Sequence, residues 1–357
     1  MPLPFFSICI PQHNRTAFLI DACRSLALQT FKNFEICISD DCSTDGKEQE
    51  LVTFLQEHRF KFVYERQTNN LRYDANLRAA IALSTGRYCF LLGNDDALAT
   101  ANTLQDVHDQ ILKAGGAGVV ITNYADFETG RAVSRVSKTA LQGRGPAVAA
   151  NNFRNVSFVS GVSLDGVRAR QLASAKWDGS EMYQMYLTCR IIAEGGALLH
   201  LNQVAIRKDI QIPGEQVDSY AANPRLNPCP IVERKHTFHL IGRLVMDAIK
   251  PYASPAERDA IAEKVFDQLL VFTYPFWLFE YRRVQSWKYA MGICLGMRPA
   301  NLIKGVDLSA WRRFRLSTIY FLSSLLGLTM PLKVFLTFYP QLHAFAKSRF
   351  AQLARTA

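Results

Sequence analysis

Short apolar runs alternate with amphipathic segments over the first hundred residues of the chain. Each apolar run has the length of a buried strand, and the segments between the runs place apolar residues at helical spacing. The pattern predicts strands over residues 5–10, 34–39, 61–65 and 88–92, separated by helices over residues 17–28, 48–58 and 77–83. Four alternations of strand and helix predict an α/β fold with a mostly parallel, doubly wound sheet.

The pattern continues more loosely to about residue 207. It predicts helices over residues 103–113 and 176–193, strands over 117–122, 158–164 and 198–206, and a mobile polar loop over 127–152. Residues 208–232 contain four prolines and little periodicity, so we place a domain boundary at residue 230. Residues 1–230 then form the α/β domain, and residues 231–357 form a helical extension.

Carboxylates follow two of the predicted strands at the point where each strand ends. The stretch 87–98, RYCFLLGNDDAL, contains Asp95 and Asp96, and the second strand runs directly into Asp40 and Asp41. Because ligands bind outside the carboxyl ends of strands in open α/β sheets, Asp41 and Asp96 are expected to face one crevice. A Gly-Asn-Asp-Asp sequence is also ordinary turn chemistry, so this stretch alone leaves a structural turn open. Paired carboxylates with few histidines nearby favour Mg²⁺ or Mn²⁺ bound together with nucleotide phosphates.

Several other kinds of site are disfavoured by missing motifs. The chain has no G-x-x-x-x-G-K-[ST], G-x-G-x-x-G or G-x-S-x-G sequence, which argues against P-loop, dinucleotide-binding and nucleophile-elbow enzymes. Its eight cysteines are scattered without C-x-x-C spacing, which favours a reducing compartment. The amino terminus lacks a basic segment followed by a long apolar one, so we expect no secretory signal and a cytoplasmic location.

The net charge of +10 comes from the carboxyl-terminal part of the chain. Residues 268–357 contain 12 Lys or Arg against 2 Asp or Glu, whereas the preceding residues carry equal numbers of both. This distribution favours contact with anionic lipid over nucleic acid. Residues 317–332 form an uncharged stretch shorter than the roughly 20 residues that span a bilayer, which predicts an interfacial or re-entrant helix. A helical subdomain packed on the core is the alternative, because aromatic stripes also occur in protein cores.

Five motifs in a fixed order carry a resemblance to a known family. They are SICIPQHNR at 7–15, SLALQTF at 25–31, FEICISDDCSTD at 34–45, GRYCFLLGNDD at 86–96 and Ser160-Gly161. Over about residues 5–207 the chain resembles the family 2 glycosyltransferases of the GT-A fold, most closely the abequosyltransferase-like enzymes of surface-polysaccharide assembly. The resemblance implies transfer of a sugar, with inversion, from a nucleotide-sugar donor to a saccharide acceptor, lipid-linked and at the cytosolic face of the inner membrane. It also implies a divalent metal, Mn²⁺ or Mg²⁺.

The same resemblance assigns roles to the strand-end residues. It implies that Asp41 binds the nucleoside base or ribose, that Asp96 is the metal ligand and that Asp95 contacts ribose or the donor sugar. The first position of the metal-binding element is Asn94 instead of an acid, which leaves a metal bound by a single carboxylate. The remaining donor-site residues implied by the resemblance are Pro11, His13, Asn14, Arg72 and Asn76, and Asp74 lies where the family has a polar pocket residue. His13 stands where the family more often has Tyr, and its alternative role is to shape the loop.

The general base is left open between two acids. The family base lies at the start of the helix that follows the Ser-Gly strand, typically in a Glu-Asp pair, and this sequence has Asp178 and Glu181 there instead. Either acid could also be a helix-terminal charge without a catalytic role. Trp177 could stack on a sugar face or simply pack.

Two other functions remain possible at this stage. The missing Glu-Asp pair and Asn94 fit a non-catalytic sugar-nucleotide-binding or membrane-scaffold protein that keeps the fold. A nucleotidyltransferase would need a glycine-rich, basic loop after the first strand, and PQHNR at 11–15 is not such a loop.

Overall fold

A computed structural model describes residues 3–215, 238–284, 286–306, 308–338 and 341. The described residues fall into two compact units. The first unit comprises residues 3–145 and 152–215, and the second comprises 146–151 together with the described residues from 238 onward. The boundary predicted at residue 230 lies outside the described residues and stays a prediction.

One mixed sheet forms the centre of the first unit. Its strands in the described chain are β1 (Phe6–Gln12), β2 (Phe34–Asp40), β3 (Phe62–Arg66), β4 (Tyr88–Leu91), β5 (Ala97–Leu98), β6 (Val119–Asp126), β7 (Ala132–Val133), β8 (Ala140–Gly143), β9 (Val162–Asp165) and β10 (Leu198–Lys208). They lie in the order β3-β2-β1-β4-β9-β6-β10-β5, with β7 on β6 and β8 on β10. Strands β1 to β4 are parallel to one another, as are β6 and β10, whereas β9 runs antiparallel between β4 and β6. The prediction of a mostly parallel α/β sheet is confirmed.

Helices cover this sheet and connect its strands. They are α1 (Thr16–Ala27), α2 (Glu48–Glu57), α3 (Arg72–Ala82), α4 (Thr103–Lys113), a 3₁₀ helix (Phe153–Val156), α6 (Gly166–Gln171) and α7 (Tyr183–Glu194). Helix α5 (Pro146–Asn152) belongs to the second unit except for its last residue. The central strands are buried along their whole length, and β2 has no residue outside the core. Burial of both faces explains why these strands are continuous apolar runs in the sequence.

The strand order creates a crevice at one edge of the sheet. From β1 the chain adds β2 and β3 on one side and β4 on the other, so the direction of winding reverses between β1 and β4. Such a reversal point is where α/β sheets bind ligands, outside the carboxyl ends of the strands. Asp41 directly follows β2, and Asp95 and Asp96 lie in the turn after β4. The topology therefore brings the two acidic strand ends to the same edge.

Several elements differ from the predicted ones. Strand β1 continues through Pro11, which lies beyond the last residue paired with β4, so the missing proline N–H costs no bond on that side. Helix α3 begins at Arg72, five residues earlier than predicted, and α7 begins at Tyr183, seven residues later. Residues 127–152 are not a single mobile loop, because they contain β7, β8 and α5. Pairing with β6 and β10 orders this polar stretch.

The second unit is helical in its described part. Its elements are α8 (Phe238–Ile249), α9 (Pro255–Asp267), a π-helix (Gln268–Thr273), α10 (Tyr274–Val284), α11 (Trp287–Gly296), α12 (Pro299–Leu302), α13 (Ala310–Thr329) and α14 (Leu332–Phe338). Helix α13 is fixed on one side by Arg315, which pairs with Glu263 and Asp267 at 2.5 and 2.8 Å. Further along, the hydroxyl groups of Ser324 and Tyr274 lie 2.7 Å apart.

None of the described helices has by itself both the length and the apolar composition needed to cross a bilayer. Helices α13 and α14 meet the length and composition requirements only when taken together, as a pair bent by 110°.

Candidate active site

The turn after β4 holds Asp96 in a buried, fully hydrogen-bonded position. Asp96 is 2% exposed, and Ser160 Oγ donates to its Oδ2 over 2.5 Å. The same Ser160 oxygen accepts from Gly93 N over 2.7 Å. Asp209 N donates to the other carboxylate oxygen, Oδ1, over 3.1 Å. Both Asp96 oxygens are therefore fixed by elements far apart in sequence.

Negative charge is concentrated and poorly solvated at this turn. Burial, followed by the charge of Asp95, raises the pKa of Asp96 to about 7. Asp95 itself accepts from Arg15 Nη1 over 2.5 Å, and both side chains are about one-fifth exposed. A buried carboxylate that is costly to ionise gains most from a nearby cation. The turn can therefore bind positive charge.

Arg135 supports the turn after β4 through contacts with nearby backbone. No feature of the sequence indicated that this residue belongs to the site. Its guanidinium donates to the carbonyl oxygens of Thr122, Phe158 and Ser160, each over 2.8 Å. Burial lowers the pKa of Arg135 to about 10, and the charges of nearby groups, including Asp96, oppose this change. Because Arg135 lies in the polar stretch 127–152, its sequence context gives no periodic or motif signal for burial.

Asp41 holds the start of α3. It is 3% exposed, its Oδ1 accepts from Leu71 N, and its Oδ2 accepts from Arg72 N over 2.9 Å. Arg72 has φ of 62°, a left-handed conformation that a residue with a side chain adopts at some cost. His13 is exposed, and its Nδ1 lies 2.8 Å from Asp41 O. The predicted nucleoside-binding acid thus also organises the backbone around it.

The loop after β1 lies over the same edge of the sheet. Pro11 is half-buried and Asn14 is exposed, with Asn14 N donating to Ser43 Oγ over 2.8 Å. Asn76 on α3 is 3% exposed, and its Nδ2 donates to Gln12 O over 3.1 Å. Its Oδ1 is buried without a hydrogen-bond partner among the described residues, which leaves an acceptor for a ligand. The structure therefore gathers the predicted donor-site residues around the ends of β1 and β2.

The two candidate bases lie in different environments. Asp178 forms an ion pair with Arg78, and both side chains are 29% exposed. Glu181 lies in the turn before α7 with φ of 62°, and its backbone N donates to Asp74 Oδ2 over 2.7 Å. Asp74, which the sequence assigned only as a polar pocket residue, therefore anchors the turn that carries Glu181.

Tyr73 on α3 contacts the helix that follows the Glu181 turn. Its hydroxyl donates to Gln184 Oε1 over 3.1 Å. Burial raises the pKa of Tyr73 well above its ordinary value, and the negative charges of Asp74, Glu181 and Asp96 act in the same direction. Helix α3 also contacts the end of β1, where Asn76 donates to Gln12 O and the Gln12 amide contacts the Asn94 amide at 2.7 Å. Contacts of one helix therefore connect the Glu181 turn with the turn after β4.

The part of the chain that contains both acidic strand ends matches a known family. Residues 7–163 match the family model described as "Glycosyl transferase family 2". This stretch is a family 2 glycosyltransferase domain. The match includes both acidic strand ends and Ser160, and Glu181 lies beyond it.

Curated relatives of the glycosyltransferase domain support the resemblance inferred from the motifs. The chain is 41% identical over 95 residues to the abequosyltransferase RfbV of Salmonella typhimurium, which is 26% of this chain and 28% of that protein. It is 36% identical over 107 residues to a PGL/p-HBAD biosynthesis glycosyltransferase of Mycobacterium bovis, which is 30% of this chain and 41% of the relative. The chain therefore spans less than half the length of either relative.

Solved structures share the fold over most of the chain. Residues 1–349 of Staphylococcus aureus TarS in complex with UDP match with a TM-score of 0.60 at 15% identity, over 90% of each chain. The mannosyltransferase PcManGT of Pyrobaculum calidifontis, in complex with GDP-Man and Mn²⁺, matches with a TM-score of 0.53 at 12% identity, over 92% of this chain and 88% of that one. At these identities the likeness shows the fold, and the predicted GT-A architecture is confirmed.

The donor set of the glycosyltransferase domain limits how a metal could bind. Within the described ranges, no three His, Cys, Asp or Glu side chains converge in a way that could hold a metal ion. Asp96 is buried with both oxygens hydrogen-bonded and lies beside Asp95, whereas Asn94 supplies an amide that contacts the Gln12 amide at 2.7 Å. These residues fit a cation held by one carboxylate and completed by oxygens of a bound ligand.

Proposed function

We propose that this protein transfers a sugar, with inversion, from a nucleotide-sugar donor to a saccharide acceptor in surface-polysaccharide synthesis. The observation that carries the proposal is the placement of Asp41 and Asp96 at two strand ends of one crevice, with the Glu181 turn bonded to Asp74 on the helix whose start is bonded to Asp41. The family match and the names of the curated relatives support the same reaction class. The acceptor is lipid-linked in this proposal.

The side chains divide the reaction into binding and proton transfer. Asp41, with the loop that carries His13 and Asn14, holds the nucleoside at the ends of β1 and β2. Asp95, oriented by its ion pair with Arg15, contacts the ribose or the donor sugar. The acceptor hydroxyl attacks the anomeric carbon from the face opposite the diphosphate, which inverts that centre in a single displacement.

Glu181 takes the acceptor proton in this proposal, with Asp178 as the less favoured candidate. The Arg78 guanidinium pairs with Asp178, so that carboxylate would have to lose an ionic partner to accept a proton. Glu181 lies in a turn held by the buried Asp74, on the helix whose start is bonded to Asp41. This anchoring to the donor side of the crevice favours Glu181 as the base in the proposal.

Asp96 is the residue that would hold a divalent Mn²⁺ or Mg²⁺. When bound, the ion neutralises charge that develops on the leaving diphosphate. Ser160 and Asp209 keep the Asp96 carboxylate fixed by hydrogen bonds of 2.5 and 3.1 Å, so the chain presents one oriented ligand without rearrangement. Asn94 adds no charge at this position.

Activity and its residues can be tested together by nucleotide release. UDP-, GDP-, CDP- and dTDP-sugars are offered with Mn²⁺ or Mg²⁺, with and without a membrane extract of the producing organism, and release of nucleoside diphosphate is measured. We expect Asp96→Asn and Glu181→Gln each to reduce turnover at least about 100-fold, with Asp178→Asn near wild type. Unchanged turnover in Asp96→Asn would show that the site is wrongly assigned. Binding of nucleoside diphosphates without any release would instead support a non-catalytic binding protein.

Helix α13 supports the second part of the proposal, attachment to the cytosolic face of the inner membrane. Large apolar side chains on this helix are at least half exposed: Trp311, Phe314, Phe321, Leu322 and Leu325. At 100° per residue they fall within roughly a 100° arc, opposite the buried face that contains Leu316, Ser324 and Gly327. Exposed Lys333 and the basic composition of residues 268–357 fit an anionic lipid surface.

Vesicle flotation tests the exposed face of α13 without removing the helix. Deletion from residue 310 would also break the pairing of Arg315 with α9, so we prefer point changes. We expect Phe314→Glu with Phe321→Glu to abolish flotation with phosphatidylglycerol vesicles, whereas Leu112→Glu, an equally exposed leucine on α4, leaves it unchanged. Flotation of the double variant would contradict the proposal. Loss of a dimer in that variant, measured by light scattering, would assign the face to a second copy of the chain instead.

A further inference from the structure

The start of α7 is held by a residue from α3. Met182 precedes the helix and has no side-chain cap bond to its first turn. Asp74, which is 2% exposed, accepts from Tyr183 N over 2.9 Å through Oδ1 and from Glu181 N over 2.7 Å through Oδ2. Ser180 Oγ also lies 3.3 Å from Oδ2. A buried carboxylate more than 100 residues away in sequence therefore replaces the local cap.

The hydrogen bonds to Asp74, called the anchor below, matter because Glu181 has an unusual backbone conformation. Its φ of 62° lies in the left-handed region, which is strained for a residue with a Cβ. Such a conformation persists only where surrounding contacts fix it, and such residues cluster at functional sites. The hydrogen bonds from Glu181 N and Tyr183 N to Asp74 fix the backbone on both sides of this turn. Loss of the anchor would allow the turn to relax and the Glu181 side chain to move.

The anchor is in turn connected to the donor side of the crevice. Helix α3 begins where Asp41 accepts from Leu71 N and Arg72 N, and Asp74 lies two residues after Arg72 in the first turn of the same helix. One helical turn thus joins the end of β2 to the turn before α7. The Glu181 position is fixed relative to the Asp41 position by backbone and carboxylate contacts alone.

We propose that Asp74 is a positioning residue, which sets the geometry of Glu181 for proton transfer without touching the donor. This inference rests on the proposed function, in which Glu181 is the base. Asp74 then acts on the chemical step through Glu181, and its loss lowers kcat while leaving the donor KM in place. For this role the two acceptor oxygens of Asp74 matter more than the size of its side chain, because both oxygens accept hydrogen bonds from backbone N–H groups.

Steady-state release of nucleoside diphosphate, with the sugar nucleotide found active in the donor screen, tests the inference. Asp74→Asn keeps the size of the side chain but points an amide N–H₂ group at backbone donors. We expect kcat to fall about 10- to 100-fold, with donor KM and UDP, GDP, CDP or dTDP affinity by calorimetry within about twofold. Asp165→Asn is the matched control, because Asp165 caps α6 in the same way, accepting from Arg168 N over 2.9 Å. We expect that variant to keep the wild-type kcat.

The double variant separates positioning from simple destabilisation. If Asp74 acts through Glu181, Asp74→Asn combined with Glu181→Gln is no slower than Glu181→Gln alone. A wild-type kcat in Asp74→Asn, or losses that multiply in the double variant, would overturn the inference while leaving the base assignment intact. A wild-type kcat in Glu181→Gln would overturn the base assignment and this inference with it. If Asp74→Asn does not fold, Ser180→Ala replaces it with an expected loss of a few-fold in kcat, and a wild-type kcat there also overturns the inference.

Discussion

Replacing Ser160 with alanine tests the contact that fixes Asp96. The buried hydroxyl donates to Asp96 Oδ2 over 2.5 Å and accepts from Gly93 N over 2.7 Å, so one substitution removes both bonds. A hydrogen bond to a charged group contributes about 1.5–3 kcal/mol, and a buried amide left unpaired costs about 1–3 kcal/mol. We therefore expect the free energy of unfolding of the first unit to fall by about 2.5–6 kcal/mol.

Ser163→Ala is the matched control on strand β9. Its hydroxyl is also fully buried but has no hydrogen-bond partner among the described residues, so its removal should change the free energy of unfolding by less than about 1 kcal/mol. A urea series read by pulsed hydrogen exchange of β4 and β9 peptides reports the unfolding of this sheet alone. If the two variants differ by less than about 0.5 kcal/mol, the Ser160 hydroxyl does not hold the turn. Nucleotide release should also fall in Ser160→Ala and remain in Ser163→Ala.

Three further predictions concern the same unit. Asp41→Asn removes an acceptor at the start of α3 and should weaken nucleoside diphosphate binding about tenfold by calorimetry, whereas equal affinity would contradict the donor-site assignment. Gly93→Ala places a Cβ 2.8 Å from Asp96 Oδ2, so nucleotide release should fall about 100-fold in a protein that still folds. Burial lowers the pKa of His200 to about 4, against about 6.5 in an unfolded chain. Stability should therefore fall by about 3 kcal/mol as the pH drops from 6.5 to 4, since only the unfolded chain takes up the proton, and His200→Gln should lack this loss in urea titrations at each pH.

The sheet could be predicted because its strands are buried on both faces. Residues 34–39, FEICIS, form an apolar run with one acid, Glu35, and the structure buries every residue of β2. The same signal located β1 and β4, and the strand ends then gave the position of the acids. The hydrophobic pattern was therefore sufficient to predict the elements that are held in place by packing in the core.

The starts of α3 and α7 could not be predicted for a related physical reason. Both helix starts are fixed by carboxylates from elsewhere in the chain, Asp41 for α3 and Asp74 for α7, so neither has a local capping residue to mark it. The first turn of α3 consists mainly of polar residues that line the candidate site. The apolar spacing that would predict a helix is therefore absent from this turn. Arg135 was missed likewise, since only the fold shows that three backbone carbonyls converge on it.

The departure of Asn94 from the family pattern has a physical explanation in the charge balance of the β4 turn. Asp96 is already buried beside Asp95, and the charge of Asp209 adds a further unfavourable interaction. A third acid in the turn would raise the cost of ionising Asp96, whereas the Asn94 amide contacts the Gln12 amide at 2.7 Å and ties the turn to the end of β1. Asn94 therefore keeps the turn ordered without adding a further negative charge next to Asp96. Arg15, paired with Asp95 at 2.5 Å, offsets part of the negative charge that Asp95 places there.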